Sequence, residues 1–250
     1  MLPQYRTYEN QIDSTFGGTS SIVPEYVVRM LSYRQMDLEY TLSQMIQILH
    51  APRDVYKMAS CRKQTKGQWA RDDPAFVVIL MILFFVTSIA FAIELGDGGF
   101  ASYIVAILYG QMYLFIPGIV IAFAGRWVGN TLLRDTSRNT YDKVEFLYAL
   151  DIHFNACVPL YLVLCVLQFL LLPFLLQKTF LAALAANAIY AFAAVVYWYI
   201  TFLGYTSIAF LHHTEAYLYP MFVVLLYCAV ATVLGSNTTR LVMGLLFRIP

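Results

Sequence analysis

Five long apolar runs constrain this sequence more than any other feature. They lie at residues 75–93, 100–124, 156–176, 180–203 and 216–234, and none contains a full charge. Each approaches the roughly 20 residues that a helix needs to cross about 30 Å of hydrocarbon. The chain as a whole is 60% apolar and 12% charged, far from the roughly 25% charged residues of a soluble domain. We therefore predict an all-α membrane protein whose five transmembrane helices form a bundle at residues 75–234, followed by a short tail at residues 235–250.

Lysine and arginine are distributed unequally around these runs. Nine precede the first run and four follow the second, whereas the connections on the opposite side hold none, one and two. Cations beside a span hold that end in the cytosol, so the pattern predicts a cytosolic N-terminus. Five spans then place the C-terminus in the lumen. The net charge of +1 gives no support to nucleic-acid binding.

The region before the first run divides into a tail and two helices. Residues 1–22 have no periodicity and are predicted to be disordered, and residues 23–74 are predicted to be a cytosolic amphipathic helical region. Within it, apolar residues recur every three or four positions over residues 24–50, the pattern of one helix face. Such a helix lies along the membrane surface or packs on a partner. Pro52 is expected to open a second, short helix at residues 53–58.

A basic strip at residues 61–73 joins this region to the first run. Its cations have three interpretations: they retain this end in the cytosol, they contact anionic lipid headgroups, or they dock a cytosolic protein. Binding of RNA is a minor alternative. Trp69 is expected to anchor at the interface, Asp73 to cap the first span, and Cys61 is a weak candidate for acylation. The candidate interaction residues are Arg62, Lys63, Gln64, Lys66, Trp69, Arg71, Asp72 and Asp73.

Polar residues near two span ends admit a metal-dependent membrane hydrolase as an alternative function. The residues of this alternative are Asp151, His153, Asn155, His212, His213 and Glu215. On a helix, however, Asp151 and His153 lie about 200° apart, whereas Asp151 and Asn155 share a face. That spacing favours a polar contact between helices, so we predict no metal, no cofactor and no catalytic residue.

The spans themselves contain few strongly polar side chains. Gln111, Gln168 and Asn187 are the strongest of them, and they support an alternative function as a transporter or lipid-handling protein. The absence of a charged intramembrane site argues against that alternative. Asn237 begins an N-glycosylation triplet. It follows the last span so closely that we expect the membrane to shield it and the site to remain mostly unmodified.

Several segments together resemble the uncoordinated-fifty family (Unc/Gmh-type) of multi-pass Golgi membrane proteins. The similarity runs from about Tyr33 to the C-terminal tail, and His212 and His213 depart from the family pattern. The segments are Tyr-Arg-Gln-Met-Asp-Leu-Glu-Tyr at 33–40, Arg-Lys-Gln-Thr-Lys at 62–66, Gln-Trp-Ala-Arg-Asp-Asp-Pro-Ala-Phe at 68–76, Asp-Ile-His-Phe-Asn-Ala at 151–156 and Thr-Phe-Leu-Gly-Tyr at 201–205.

The resemblance implies five spans, a cytosolic N-terminus and a non-enzymatic role in vesicle-mediated protein transport. It also implies residence in the Golgi membrane, with the endoplasmic reticulum or the inner nuclear membrane as alternatives. The implied partners are a large Arf guanine-nucleotide exchange factor, membrane lipids and receptor cargo that is delivered once assembled. On this basis we hypothesise that residues 24–50 and 62–73 form one cytosolic docking platform.

Overall fold

A computed structural model describes residues 36–96, 98–135 and 142–247 of the chain. Five of its helices are long and apolar enough to cross a membrane, which confirms the predicted all-α fold. The predicted disordered tail, and the predicted helix as far as residue 35, lie outside the described residues. The helices are α1 (Leu38–His50), α2 (Pro52–Lys66), α3 (Ala75–Leu95), α4 (Phe100–Thr131), α5 (Phe146–Leu170), α6 (Phe180–Thr206), α7 (Thr214–Val233) and α8 (Thr238–Phe247), of which α3 to α7 are the five spans.

The third span begins earlier than predicted. Helix α5 starts at Phe146 rather than at residue 156. Hydropathy predicts that the third span starts after Asp151, His153 and Asn155, because polar side chains are costly in hydrocarbon. The bundle tolerates these three because each has a partner there. Helix α5 also contains a π-helical stretch, Leu162–Leu167, and a separate turn at Leu172–Leu175 completes the predicted run.

The second N-terminal helix is longer than predicted. Helix α2 extends from Pro52 to Lys66 rather than over residues 53–58, so it includes the first half of the basic strip. Proline suits the first helical turn because it has no N–H to lose. Gly67 ends the helix with φ +77° and donates its N–H to the carbonyl of Lys63 over 3.0 Å. Glycine adopts this left-handed conformation without a steric penalty.

Helix α1 does not bury the whole apolar face that the periodicity predicts. Met45 and Ile48 are buried, but so are the polar side chains of Thr41 and Gln44. Gln44 lies off the apolar stripe, yet its side chain faces the bundle because it binds Arg71. The apolar side chains that remain exposed are Leu38, Leu42, Ile46 and Leu49.

The loops and short helices outside the spans lie at the two ends of the bundle. At one end, which we call the N-face, helix α2 contacts the loops before α5 and after α6: Lys63 pairs with Glu145, and the Ser60 hydroxyl donates to the Ser207 carbonyl. At the opposite end, the C-face, Phe247 of α8 stacks near Phe91 of α3. The tail predicted at residues 235–250 thus contains a helix that packs on the bundle.

Candidate functional site

The N-terminal helices are attached to the bundle through Arg71. Its guanidinium donates from Nη1 to Asp151 Oδ1 over 2.8 Å and from Nη2 to Asn155 Oδ1 over 2.6 Å. Its Nε donates to Gln44 Oε1 of α1 over 3.1 Å. The same guanidinium lies 4.1 Å above the ring of Phe76. We call Arg71, Asp151, Asn155 and Gln44 the clasp, because they join α1, the strip and α5.

The clasp is largely removed from water. The Arg71 and Asp151 side chains are 9% and 14% exposed. Asp151 therefore brings a full charge into α5, although the sequence predicts that Asp151 lies outside the spans. The pairing satisfies that charge, as burial of a carboxylate requires. Tyr56 of α2 is buried nearby, and burial raises the pKa of its phenol above the ordinary value, so Tyr56 stays neutral at physiological pH.

Glu145, just before α5, makes a second attachment. Its carboxylate accepts from Lys63 Nζ over 3.1 Å and from the backbone N–H of Trp69 over 3.3 Å. Arg62 donates to the Trp69 carbonyl over 3.0 Å. The Trp69 ring is buried and lies 5.3 Å from that of Tyr148. The expectation of an interfacial anchor was therefore wrong for Trp69, which packs inside the protein.

The two aspartates of the strip fix its turn into the first span. Asp73 accepts from the N–H of Ala75, the first residue of α3, and from the N–H of Asp37, both over 2.9 Å. It thus holds the starts of α1 and α3 together, in addition to the capping that was predicted. Asp72 accepts from Lys66 over 2.7 Å and also from the Gln68 amide.

These contacts define a folded cap, which comprises α1, α2 and residues 67–74. Lys63, Trp69 and Arg71 attach it to the bundle and Arg62 bonds within it to the Trp69 carbonyl, whereas Gln64 and Lys66 are exposed. One face of α2 points away from the bundle. Its exposed residues recur at spacings of four, four and three: Arg53, Lys57, Cys61 and Gln64. We call these four residues the outer face.

The residues of the metal alternative point in different directions. His153 lies inside the bundle, with Nε2 3.0 Å from the Leu114 carbonyl and Nδ1 2.7 Å from the Tyr197 hydroxyl. It therefore donates to Leu114 and accepts from Tyr197, on the side of α5 away from the clasp. His212 instead contacts Asp135 over 2.9 Å. Within residues 36–96, 98–135 and 142–247, no three His, Cys, Asp or Glu side chains form a group that could hold a metal ion.

The polar residues of the transporter alternative connect helices of the chain. Gln111 donates to the Met81 carbonyl over 3.0 Å. Asn187 donates to the Thr232 hydroxyl and the Ser236 carbonyl, each over 2.9 Å. Gln168 contacts the hydroxyls of Tyr190 and Thr239 over 3.3 and 3.4 Å. Contacts of this kind hold transmembrane helices together, and they give no support to a solute path.

Asn237 has a structural role in the start of α8. Its Oδ1 accepts from the Arg240 N–H over 3.1 Å, and its Nδ2 donates to the Leu175 carbonyl over 2.6 Å. Nδ2 of Asn237, the atom to which a glycan would be attached, is therefore occupied by a hydrogen bond, and Thr239 is buried. This geometry adds a second reason to expect no glycan, besides proximity to the membrane.

Some site residues were not found from the sequence. The i, i+4 spacing of Asp151 and Asn155 indicated a polar contact, and a search for its cationic partner in the strip would have reached Arg71. Gln44 and Glu145 gave no comparable signal, because each is a common surface residue until the tertiary contact forms.

A family profile and individual relatives point to the same family. The profile of the UNC-50 family matches residues 26–247. A Dictyostelium discoideum protein unc-50 homolog is 40% identical over 99% of this chain and 98% of its own length. The Homo sapiens homolog is 38% identical over 86% of this chain and 83% of its own, and Caenorhabditis elegans protein unc-50 is 35% identical over 95% and 80%. No solved structure matches this chain significantly.

Proposed function

Because this chain belongs to the UNC-50 family, the family that its sequence resembles, we propose that it is a non-enzymatic protein of the Golgi membrane that acts in vesicle-mediated transport. In this proposal the N-face is cytosolic and recruits an Arf guanine-nucleotide exchange factor, which supports delivery of assembled receptors. The membrane-spanning bundle and the family are findings; the location, the orientation and the partners are the proposal.

The observation that carries the proposal is the folded cap on the N-face. Its clasp is buried, with Arg71 9% exposed, so the cap is a part of the fold rather than a loose tail. A surface held on packed helices loses less conformational entropy when a partner binds. The cap is therefore suited to present a fixed surface to a protein outside the membrane.

The structure changes which residues are expected to meet that protein. Arg62, Lys63 and Arg71 point to partners within the chain, so their role is to build the cap. The outer face carries Arg53 and Lys57, which are exposed. Lys57 pairs with Asp54 of the same helix over 2.7 Å, but its side chain stays 78% exposed and takes no part in attaching the cap. We assign the contact with the exchange factor to this outer face and expect an acidic patch on the partner.

The test is co-purification of the exchange factor with tagged, full-length protein from Golgi membranes. The variant is the double reversal Arg53→Glu with Lys57→Glu. Each exposed cation contributes up to about 1 kcal/mol, and reversal adds repulsion, so recovery is expected to fall roughly tenfold or more. Lys63→Glu is unsuitable, because the new carboxylate would face Glu145 and disrupt the cap.

Lys178→Glu is the control for charge reversal at the opposite face. It reverses one exposed cation in the loop between α5 and α6, at the C-face, and should leave recovery unchanged. If the double reversal binds as well as this control while both reach the Golgi, the outer face does not dock the exchange factor.

A further inference from the structure

Helix α1 has three distinct sides. Successive residues of a helix are about 100° apart, which separates its side chains into a buried, an apolar and a polar sector. The buried sector contains Thr41, Gln44, Met45 and Ile48. The apolar sector lies directly beside it and contains Leu38, Leu42, Ile46 and Leu49, which are 50%, 49%, 58% and 43% exposed. The polar sector follows and contains Glu39, Ser43 and His50.

The depth of α1 follows from its contacts. The N–H of Asp37, which precedes the helix, is bound to Asp73, and Asp73 also binds the first residue of the first span. In the middle of α1, Gln44 contacts Arg71, which binds Asn155 in α5. The helix therefore lies beside the start of α3, where the first span enters the membrane, and against the third turn of α5.

From these two observations we propose that α1 is an interfacial helix whose apolar sector, Leu38, Leu42, Ile46 and Leu49, is immersed in the membrane leaflet on the N-face. The buried sector then faces the bundle, the apolar sector faces acyl chains, and the polar sector faces water. An interfacial helix has this division between an apolar side in lipid and a polar side in water.

The apolar sector resembles the lipid-facing surface of the spans in residue type and in the exposed fraction of its side chains. Ile82, Phe85 and Val86 on the first span are 55%, 44% and 56% exposed, the same range as the four side chains of α1. The polar sector lies beyond the apolar one rather than between it and the bundle, so the same membrane that surrounds α3 can cover the apolar sector. The proposal does not depend on the docking function, because it requires only the membrane.

The experiment places a fluorophore on each exposed sector of the full-length protein in lipid nanodiscs. Leu42→Cys and Ile46→Cys probe the apolar sector, Ser43→Cys and His50→Cys are the matched controls on the polar sector, and all carry Cys61→Ser. Each is labelled with an environment-sensitive dye. The dye is then challenged with lipids that carry a nitroxide on the acyl chain and, separately, with iodide in the water.

The proposal expects acyl-chain quenching at Leu42 and Ile46 at least twice that at Ser43 and His50, with the reverse order for iodide. Equal iodide quenching at all four positions would overturn it, because the apolar sector would then face water. Protection of Leu42 and Ile46 from both quenchers would also overturn it, since protein would then cover the sector. Leu38→Cys and Leu49→Cys replace the first pair if that pair does not give monodisperse protein. No exchange factor is present, so the outcome is independent of the docking test.

Discussion

Removal of the Arg71 side chain should detach the cap from the bundle. In the variant Arg71→Ala, the Asp151 carboxylate loses its buried counter-ion, and Asn155 and Gln44 lose the donor that satisfies their amide oxygens. The backbone N–H of Arg71 still reaches Asp151 Oδ2 at 3.3 Å, so one weaker contact remains. The change therefore acts at the junction of α1, the strip and α5 at once.

The burial of Arg71 and Asp151 determines how much free energy the Arg71→Ala variant should lose. Removing one partner of a buried ion pair costs about 3–5 kcal/mol, because the other charge stays buried without compensation. The side chains of Lys66 and Asp72 are 62% and 36% exposed, and a pair of that kind contributes about 0–1 kcal/mol. Lys66→Ala is thus a matched control from the same strip. A cost of about 3 kcal/mol increases the opened population of the cap by roughly 100-fold or more.

Limited trypsin digestion of the full-length protein in nanodiscs measures that population. When opening is fast relative to cleavage, the cleavage rate follows the equilibrium fraction of the opened state. Cleavage is scored after Arg53 and Lys57, because both variants keep these sites. We expect roughly 100-fold faster cleavage for Arg71→Ala and a change of less than about fivefold for Lys66→Ala.

An apolar replacement of the pair provides a further check. In Arg71→Met with Asp151→Leu no unpaired charge is buried, so this protein should be cleaved more slowly than Arg71→Ala. It should still be cleaved faster than the original chain, because Asn155 and Gln44 keep unsatisfied oxygens. If Arg71→Ala is cleaved no faster than Lys66→Ala, the clasp does not hold the cap.

Two further predictions concern orientation and packing. A membrane-impermeant maleimide should label exposed Cys61 in sealed Golgi vesicles without permeabilisation, whereas buried Cys157 and Cys228 should react only after denaturation; a requirement for permeabilisation at Cys61 would contradict the cytosolic assignment. Gly118→Ala would place a methyl group 2.5 Å from His153 Cδ2, and such overpacking costs about 1–3 kcal/mol, which should lower the apparent melting temperature by roughly 2–10 °C. An unchanged melting temperature in detergent would show that the imidazole moves away freely.

The spans were predictable because hydrocarbon imposes a length and excludes unpaired charge. The same reasoning misplaced the start of α5, since a scale that assigns one cost to each polar residue counts Asp151, His153 and Asn155 against burial. In the fold each has a partner: Arg71 binds Asp151 and Asn155, and His153 binds Tyr197. Partners so distant in sequence cannot be identified from local composition. The Asp151 and Asn155 pair was the exception, because helical periodicity alone puts both on one face.

The basic strip shows why a count of charges in the sequence does not by itself predict a binding surface. A lysine or arginine can bias insertion while the chain is still unfolded and pair afterwards within the fold, as Arg71 and Lys63 do here. These cations therefore consolidate the cap instead of remaining available to a partner. The outer face of α2 stays exposed because the opposite face, with Val55, Tyr56 and Ala59, is the one that packs on the bundle. If docking occurs on the cap, its affinity should depend directly on Arg53 and Lys57, and on Arg71 only through the integrity of the clasp.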